Sequence, residues 1–114
     1  MFLWYPKCST CKAVKEELEK QGISLRLRNI KEENPTKEEL LAWTTEENIK
    51  KFFNTSGLLY KELKLKEKMD YLSYMDKIDL LAHDGMLVKR PILCIQDKVL
   101  VGGKEIRVYM QKGK

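Results

Sequence analysis

Two cysteines three residues apart, Cys8 and Cys11, are the side chains of this chain best placed to do chemistry. They lie in Cys8-Ser9-Thr10-Cys11, directly after an apolar, aromatic start that ends at Pro6-Lys7. A thiol attacks only as its thiolate, and thiolate is favoured where unpaired backbone N–H groups at a helix start carry partial positive charge. With Cys8 at a strand-to-helix junction its pKa is expected to fall, and Lys7 and Lys12 add positive charge nearby. Cys11, one turn on, shares the helix face with Cys8. It can reach back to resolve a mixed disulfide or a sulfenic acid on Cys8. The spacing is also compatible with two inert core thiols. A zinc site is a further alternative, but it needs about four ligands, and only Cys94 and His83 remain to complete one.

The third cysteine, Cys94, falls in an apolar run and reads as a small buried hydrophobe. His83 closes a helical pattern and reads as a solvated helix-terminal residue. Phe2, Trp4 and Tyr5 read as core and near-site packing. An odd count of three cysteines argues against a secreted disulfide scaffold. In a reducing compartment a close pair is more often catalytic, redox-sensing or metal-binding.

The elements that must position the pair are legible in outline. Residues 1–5 suit a buried strand, residues 10–21 carry Val14 and Leu18 at helical spacing and stop at Gly22, and residues 23–30 alternate as a half-buried strand. Strand, helix and strand within about 30 residues is the size of a βαβ unit. Thr36 with Glu39 three residues later is a capping-box signature for a helix through Leu40, Leu41 and Trp43. Thr45 can cap a segment from Glu46 to Phe53, Asn54-Thr55-Ser56-Gly57 is a turn, and residues 58–69 and 74–83 read as helices, the second ending at Asp84-Gly85. After that the chain is apolar again from Met86. Ile92–Ile95 and Lys98–Val101 flank a turn and predict an antiparallel hairpin. Gly102-Gly103 marks its close, and a short helix is expected from Lys104. The pattern predicts an α/β, thioredoxin-like (glutaredoxin-like) fold with a mixed sheet. It is read as a single domain over 1–114 with a helical insertion at about 36–84.

Whole-chain properties bound the function. A length of 114 residues suits one domain. No apolar run approaches the roughly 18 residues of a membrane span. The first six residues read as a strand and not as a leader, so a cytoplasmic location is expected. The formal charge of +5 favours anionic partners in general. Its lysines are mixed with glutamates, as in Lys31-Glu32-Glu33, which is the look of solvated helix faces. Direct nucleic-acid binding and membrane attachment are therefore not expected, and no bound cofactor or metal is.

Arg90-Pro91 precedes the hairpin, where proline, lacking an N–H, belongs. In thioredoxin-like folds this position holds a cis-proline beside the active cysteine. In that fold Arg90 would approach Cys8 and could bind an oxyanion or stabilise a thiolate.

Three stretches together resemble the glutaredoxin-linked arsenate reductase (ArsC-type) and Spx family. They are Tyr5-Pro6-Lys7-Cys8-Ser9-Thr10-Cys11-Lys12, then Lys51-Phe52-Phe53-Asn54-Thr55-Ser56-Gly57 running into Tyr60-Lys61-Glu62-Leu63, then Asp84-Gly85-Met86-Leu87-Val88-Lys89-Arg90-Pro91-Ile92. The resemblance implies that Cys8 is the nucleophile. In the reductases it attacks arsenate, with glutathione as co-substrate and glutaredoxin completing the cycle, and three arginines hold the oxyanion. One of these matches Arg90, and the others fall near Asn54 and Gly102, with Lys51, Lys89 or Lys104 as substitute cations. Spx-type members use the Cys-x-x-Cys pair as a disulfide switch and bind RNA polymerase. The family reading thus implies a thiol–disulfide oxidoreductase or reductase recharged by glutathione, glutaredoxin or thioredoxin, with a redox-switched regulator and an arsenate reductase as alternatives.

Overall fold

In the computed structural model, which describes residues 1–112, the chain runs β1 (Phe2–Trp4), α1 (Ser9–Lys20), β2 (Leu27–Asn29), α2 (Lys37–Trp43), α3 (Leu58–Glu62), α4 (Leu65–Lys68), α5 (Tyr74–His83), β3 (Ile92–Ile95), β4 (Lys98–Val101) and α6 (Gly102–Lys112). Short 3₁₀ turns lie at Ile49–Phe52, Met69–Tyr71 and Gly85–Leu87. Contacts divide the chain into two compact units, one of Met1–Ile30 with the segment from Arg90 onward, the other of Lys31–Lys89. The insertion expected at about 36–84 falls within the second.

The first unit is a four-stranded sheet in the order β2-β1-β3-β4. β1 pairs parallel with β2 and antiparallel with β3, and β3 pairs antiparallel with β4. This is the mixed α/β sheet of the thioredoxin-like pattern. Val14 and Leu18 of α1, and Ile106 and Met110 of α6, close over Phe2 and Leu93 of the sheet. Each fully buried aliphatic or aromatic side chain contributes roughly 1.5–3 kcal/mol relative to exposure, so this cluster anchors both helices. α1 ends as Gly22 suggested. Gly22 takes φ +81°, its N–H reaches Glu19 O at 3.0 Å, and Ile23 N–H reaches Leu18 O at 3.1 Å, the paired bonds of a Schellman stop.

Two expectations for this unit are corrected. The strand expected over 23–30 is ordered as a strand only at Leu27–Asn29, and Leu27 is exposed. β2 is an edge strand with β1 on one side alone, so its alternation lapses, and the buried anchor is Ile30, whose N–H donates to Trp4 O at 2.9 Å. Gly102-Gly103 follows the close of the hairpin at Val101 as expected, but it also opens α6, two residues before the helix expected from Lys104. Gly102, at φ +87°, lets the chain turn from β4 straight into the helix, and its N–H donates to Pro91 O at 2.8 Å.

In the second unit α2 and α5 begin with complete capping boxes, Thr36 with Glu39 and Ser73 with Asp76. Tyr74 Oη and Thr44 Oγ1 share a hydrogen bond of 2.8 Å, and Lys37 pairs with Asp79 at 2.8 Å. Thr45 caps the next segment as expected, its Oγ1 accepting Asn48 N–H at 3.2 Å while its own N–H donates to Asn48 Oδ1 at 2.7 Å, but the helical part is only the 3₁₀ turn Ile49–Phe52. Met86–Val88 gives a 3₁₀ turn and a single bridge to Phe53 instead of an extended run. The helix expected over 58–69 is broken. Lys64 takes the left-handed conformation, φ +53° and ψ +40°, between α3 and α4. Tyr60 and Leu65 are both buried, and five residues apart in an unbroken helix they would point about 140° from each other. The break lets both face inward.

Candidate active site

β1 ends at Trp4, and the chain turns through Tyr5-Pro6-Lys7 so that Cys8 N–H donates to Tyr5 O at 2.9 Å. Cys8 is the cap residue of α1, extended at φ −91° and ψ +117°, and its own carbonyl accepts Lys12 N–H at 3.1 Å. The helix start therefore presents its free N–H groups to the Cys8 sulfur. Cys8 is half-buried and Cys11 fully buried, and both are free thiols.

The two sulfurs have opposite electrostatics. Burial raises the Cys8 thiol, but the backbone N–H of Cys11, the Cys11 thiol, the charge of Arg90 and the backbone N–H of Thr10 together outweigh it, and its pKa lies below the ordinary value. Burial dominates at Cys11 and, despite opposing help from the Tyr5 backbone and Arg90, the bond to Cys8 and the charge on Cys8 reinforce it, so this thiol is pushed up to about 12. Cys8 is thus the group that ionises, and Cys11 holds its proton and donates it as a hydrogen bond to the neighbouring sulfur. The sequence placed Lys7 and Lys12 beside Cys8. Both side chains are solvent-exposed, and the charge that acts on Cys8 is that of Arg90.

Strand register explains how Arg90 arrives there. Leu3 lies opposite Ile92 in the antiparallel pair β1–β3. Continued beyond the strands, that register brings Trp4 beside Pro91 and Tyr5 beside Arg90. The Arg90 guanidinium carbon lies 5.3 Å from the centre of the Tyr5 ring, within cation–π range. Pro91 is buried and the Arg90–Pro91 peptide is cis. Tyr5, expected as near-site packing, is more closely engaged with the cluster than packing alone requires. It meets Cys8 through its carbonyl, Cys11 through its backbone and Arg90 through its ring. The available signal was its position, two residues past a strand residue whose partner lies two residues after Arg90.

Cys94 is half-buried on β3 opposite Val99, and its backbone bonds both ways with Met1. His83 is exposed at the end of α5 in the other unit, as are Lys51 and Lys89 within that unit. Asn54 also belongs there, with its N–H on Leu87 O at 2.7 Å. Lys104 is exposed on α6. Among the described residues no three His, Cys, Asp or Glu side chains are grouped to hold a metal ion. Among them, too, no helix is long and apolar enough to cross a membrane.

The model of the ArsC family matches residues 3–109. This chain belongs to the ArsC family. It is 49% identical over 106 residues to the protein YusI of Bacillus subtilis, covering 91% of this chain and 90% of that one. It is 32% identical over 104 residues to the regulatory protein MgsR of the same organism, covering 89% and 80%. The crystal structure of an ArsC family related protein from Bacteroides fragilis superposes with a TM-score of 0.90 at 46% identity, covering 99% of this chain and 95% of that one. The proteins similar to this chain thus include one named for regulation and, at 43% identity and a TM-score of 0.79 over 89% of this chain and 87% of that one, a possible arsenate reductase from Streptococcus mutans.

Proposed function

We propose that this ArsC-family protein is a thiol–disulfide oxidoreductase in which Cys8 attacks and Cys11 resolves. The observation that carries the reading is the asymmetry of the pair: an accessible cysteine with lowered pKa beside a buried cysteine that keeps its proton. In the forward step the Cys8 thiolate attacks one sulfur of a substrate disulfide. A Cys8–substrate disulfide forms, and the other substrate sulfur leaves as a thiolate and takes a proton. Once Cys8 is bonded, its negative charge no longer adds to the burial that holds the Cys11 thiol up. Cys11 then attacks Cys8 as its proton passes to the departing substrate sulfur, which leaves as the second substrate thiol. The pair ends as a disulfide, two electrons having passed to the substrate. Two equivalents of glutathione, or one glutaredoxin or thioredoxin dithiol, return them. Arg90 and the helix start stabilise the attacking thiolate, and Arg90 is a cation available to an oxyanion substrate.

The test is alkylation of each cysteine by iodoacetamide as a function of pH, read by peptide mass. Cys8 should react with an inflection below the free-thiol value of about 8.5, with Cys11 unreactive through neutral pH. A Cys8 inflection at or above that value ends the proposal. A second reading, a redox-switched regulator whose disulfide alters a binding surface for RNA polymerase, is supported by the 32% identity to a regulatory protein. It requires capture of polymerase subunits from lysate by one redox form and not the other. Equal capture by both forms, or none, removes it.

A further inference from the structure

The Lys31–Lys89 unit carries a cleft of about 360 Å³ lined by Thr55, Tyr60, Lys61, Lys64, Lys66 and Glu67. That is within the usual size range for a small-molecule site. A second cleft in the unit, lined by Leu72, Asp76, Asp79, Leu80 and His83, has its carboxylates engaged, Asp76 in the α5 cap and Asp79 on Lys37. The lysine cleft differs. Among the described residues Lys61, Lys64 and Lys66 form no ion pair. The Tyr60 ring is buried, and its hydroxyl, which makes no hydrogen bond among the described residues, stays open to solvent at the cleft.

The backbone explains the convergence. In an unbroken helix Lys61 and Lys66 would point about 140° apart. The left-handed Lys64 breaks the helix between them and brings both to one cleft. A glycine would hold that conformation without the Cβ clash that a lysine bears, so the strained position carries a cation where a neutral residue fits better. Three ammonium groups and one carboxylate leave a local charge of +2 (three minus one). A phosphate monoester carries about −1.5 to −2 at neutral pH and three acceptor oxygens, which matches that charge and the unpaired donors.

We propose that this cleft binds a small phosphate-bearing solute, with Lys61, Lys64 and Lys66 on the phosphate oxygens and the Tyr60 hydroxyl as a further donor. The site lies wholly within the second unit and is independent of the thiol chemistry. Glycerol 3-phosphate is the probe, titrated into ¹⁵N-labelled full-length protein at constant ionic strength. Amide shifts confined to residues 55 and 60–67 should saturate. Each single Lys→Gln variant should weaken binding by about five- to tenfold, the effect of one charge-assisted hydrogen bond. Lys64→Gly separates function from folding, because it should keep or raise Tm while weakening binding. Cys8→Ser should leave the titration unchanged. Shifts that rise linearly, that glycerol or sodium chloride reproduces, or that persist in the Lys61/Lys64/Lys66→Gln triple variant overturn the proposal. So does tighter saturation of the same amides by a short DNA duplex, which would mark a nucleic-acid surface instead.

Discussion

At the scale of single residues, the lowered Cys8 pKa arises from burial opposed by two backbone N–H groups, one thiol and one guanidinium. The side-chain contributors can be removed separately. Arg90→Gln should slow alkylation of Cys8 at pH 7 by about two- to fivefold, the range for losing one charge at a partly exposed site. Tyr5→Leu should move it the same way by freeing Arg90, whereas Tyr5→Phe, which keeps the ring face, should match the parent. If Tyr5→Leu leaves the profile unmoved, the ring does not position Arg90. Cys11 makes a separate prediction for stability. Its folded pKa is raised, from 9.0 to about 12, so the neutral thiol is favoured in the fold. Its contribution is complete below pH 9, where the unfolded thiol also keeps its proton, and is lost as pH rises toward 12. The slope approaches about 1.4 kcal/mol per pH unit for one proton. Urea unfolding at pH 8, 9 and 10 should show the parent losing stability faster than Cys11→Ala. Equal slopes would mean that Cys11 ionises as readily folded as unfolded. The pair and Arg90 were legible in the sequence from residue type and spacing. Tyr5 was not, because its role depends on the register of two strands some 90 residues apart.

At the scale of elements, local chemistry predicted starts and stops better than extents. The Thr36–Glu39 box and the Gly22 stop are satisfied by neighbours within five residues, so the sequence displays them whole. The length of β2 and the break at Lys64 are set by what lies beside them, an edge with one partner and two side chains that must both reach a core. No window of sequence contains that information. The Gly22 stop allows a clean test. At φ +81° a Cβ would meet nothing within 4 Å, so any cost of Gly22→Ala comes from backbone conformation alone. It should destabilise by about 1 kcal/mol, with no change in Cys8 alkylation. Thr36→Ala should also cost about 1 kcal/mol, by removing an N-cap. Thermal unfolding of both variants measures this, and a Thr36→Ala protein as stable as the parent would mean that water replaces the cap at no loss.

At the scale of the molecule, the two ends of the sequence are joined at the site. α6 packs on α1 through Gly103, where a Cβ would stand 3.3 Å from Thr10 Cγ2 and from Val14 Cγ2. Thr10 and Cys11, in that same first turn of α1, supply the N–H groups that hold the Cys8 sulfur. Leu18, at the far end of α1, belongs to the same core but lies about two turns further along the helix. Two core substitutions should therefore separate stability from reactivity. Leu18→Ala removes a fully buried side chain and should cost about 3 kcal/mol, a large share of the roughly 5–15 kcal/mol that holds a domain together. Its Cys8 profile should stay that of the parent as long as the protein remains folded. Gly103→Ala should change Tm little, since the gain of about 0.5–1 kcal/mol from replacing a helical glycine offsets the crowding. By pressing on Thr10 it should shift the first turn by a few tenths of an ångström and slow Cys8 alkylation at pH 7 about twofold. The reverse pattern, reactivity lost in Leu18→Ala and kept in Gly103→Ala, would show that Cys8 is tuned by the bulk stability of α1 and not by the placement of its first turn.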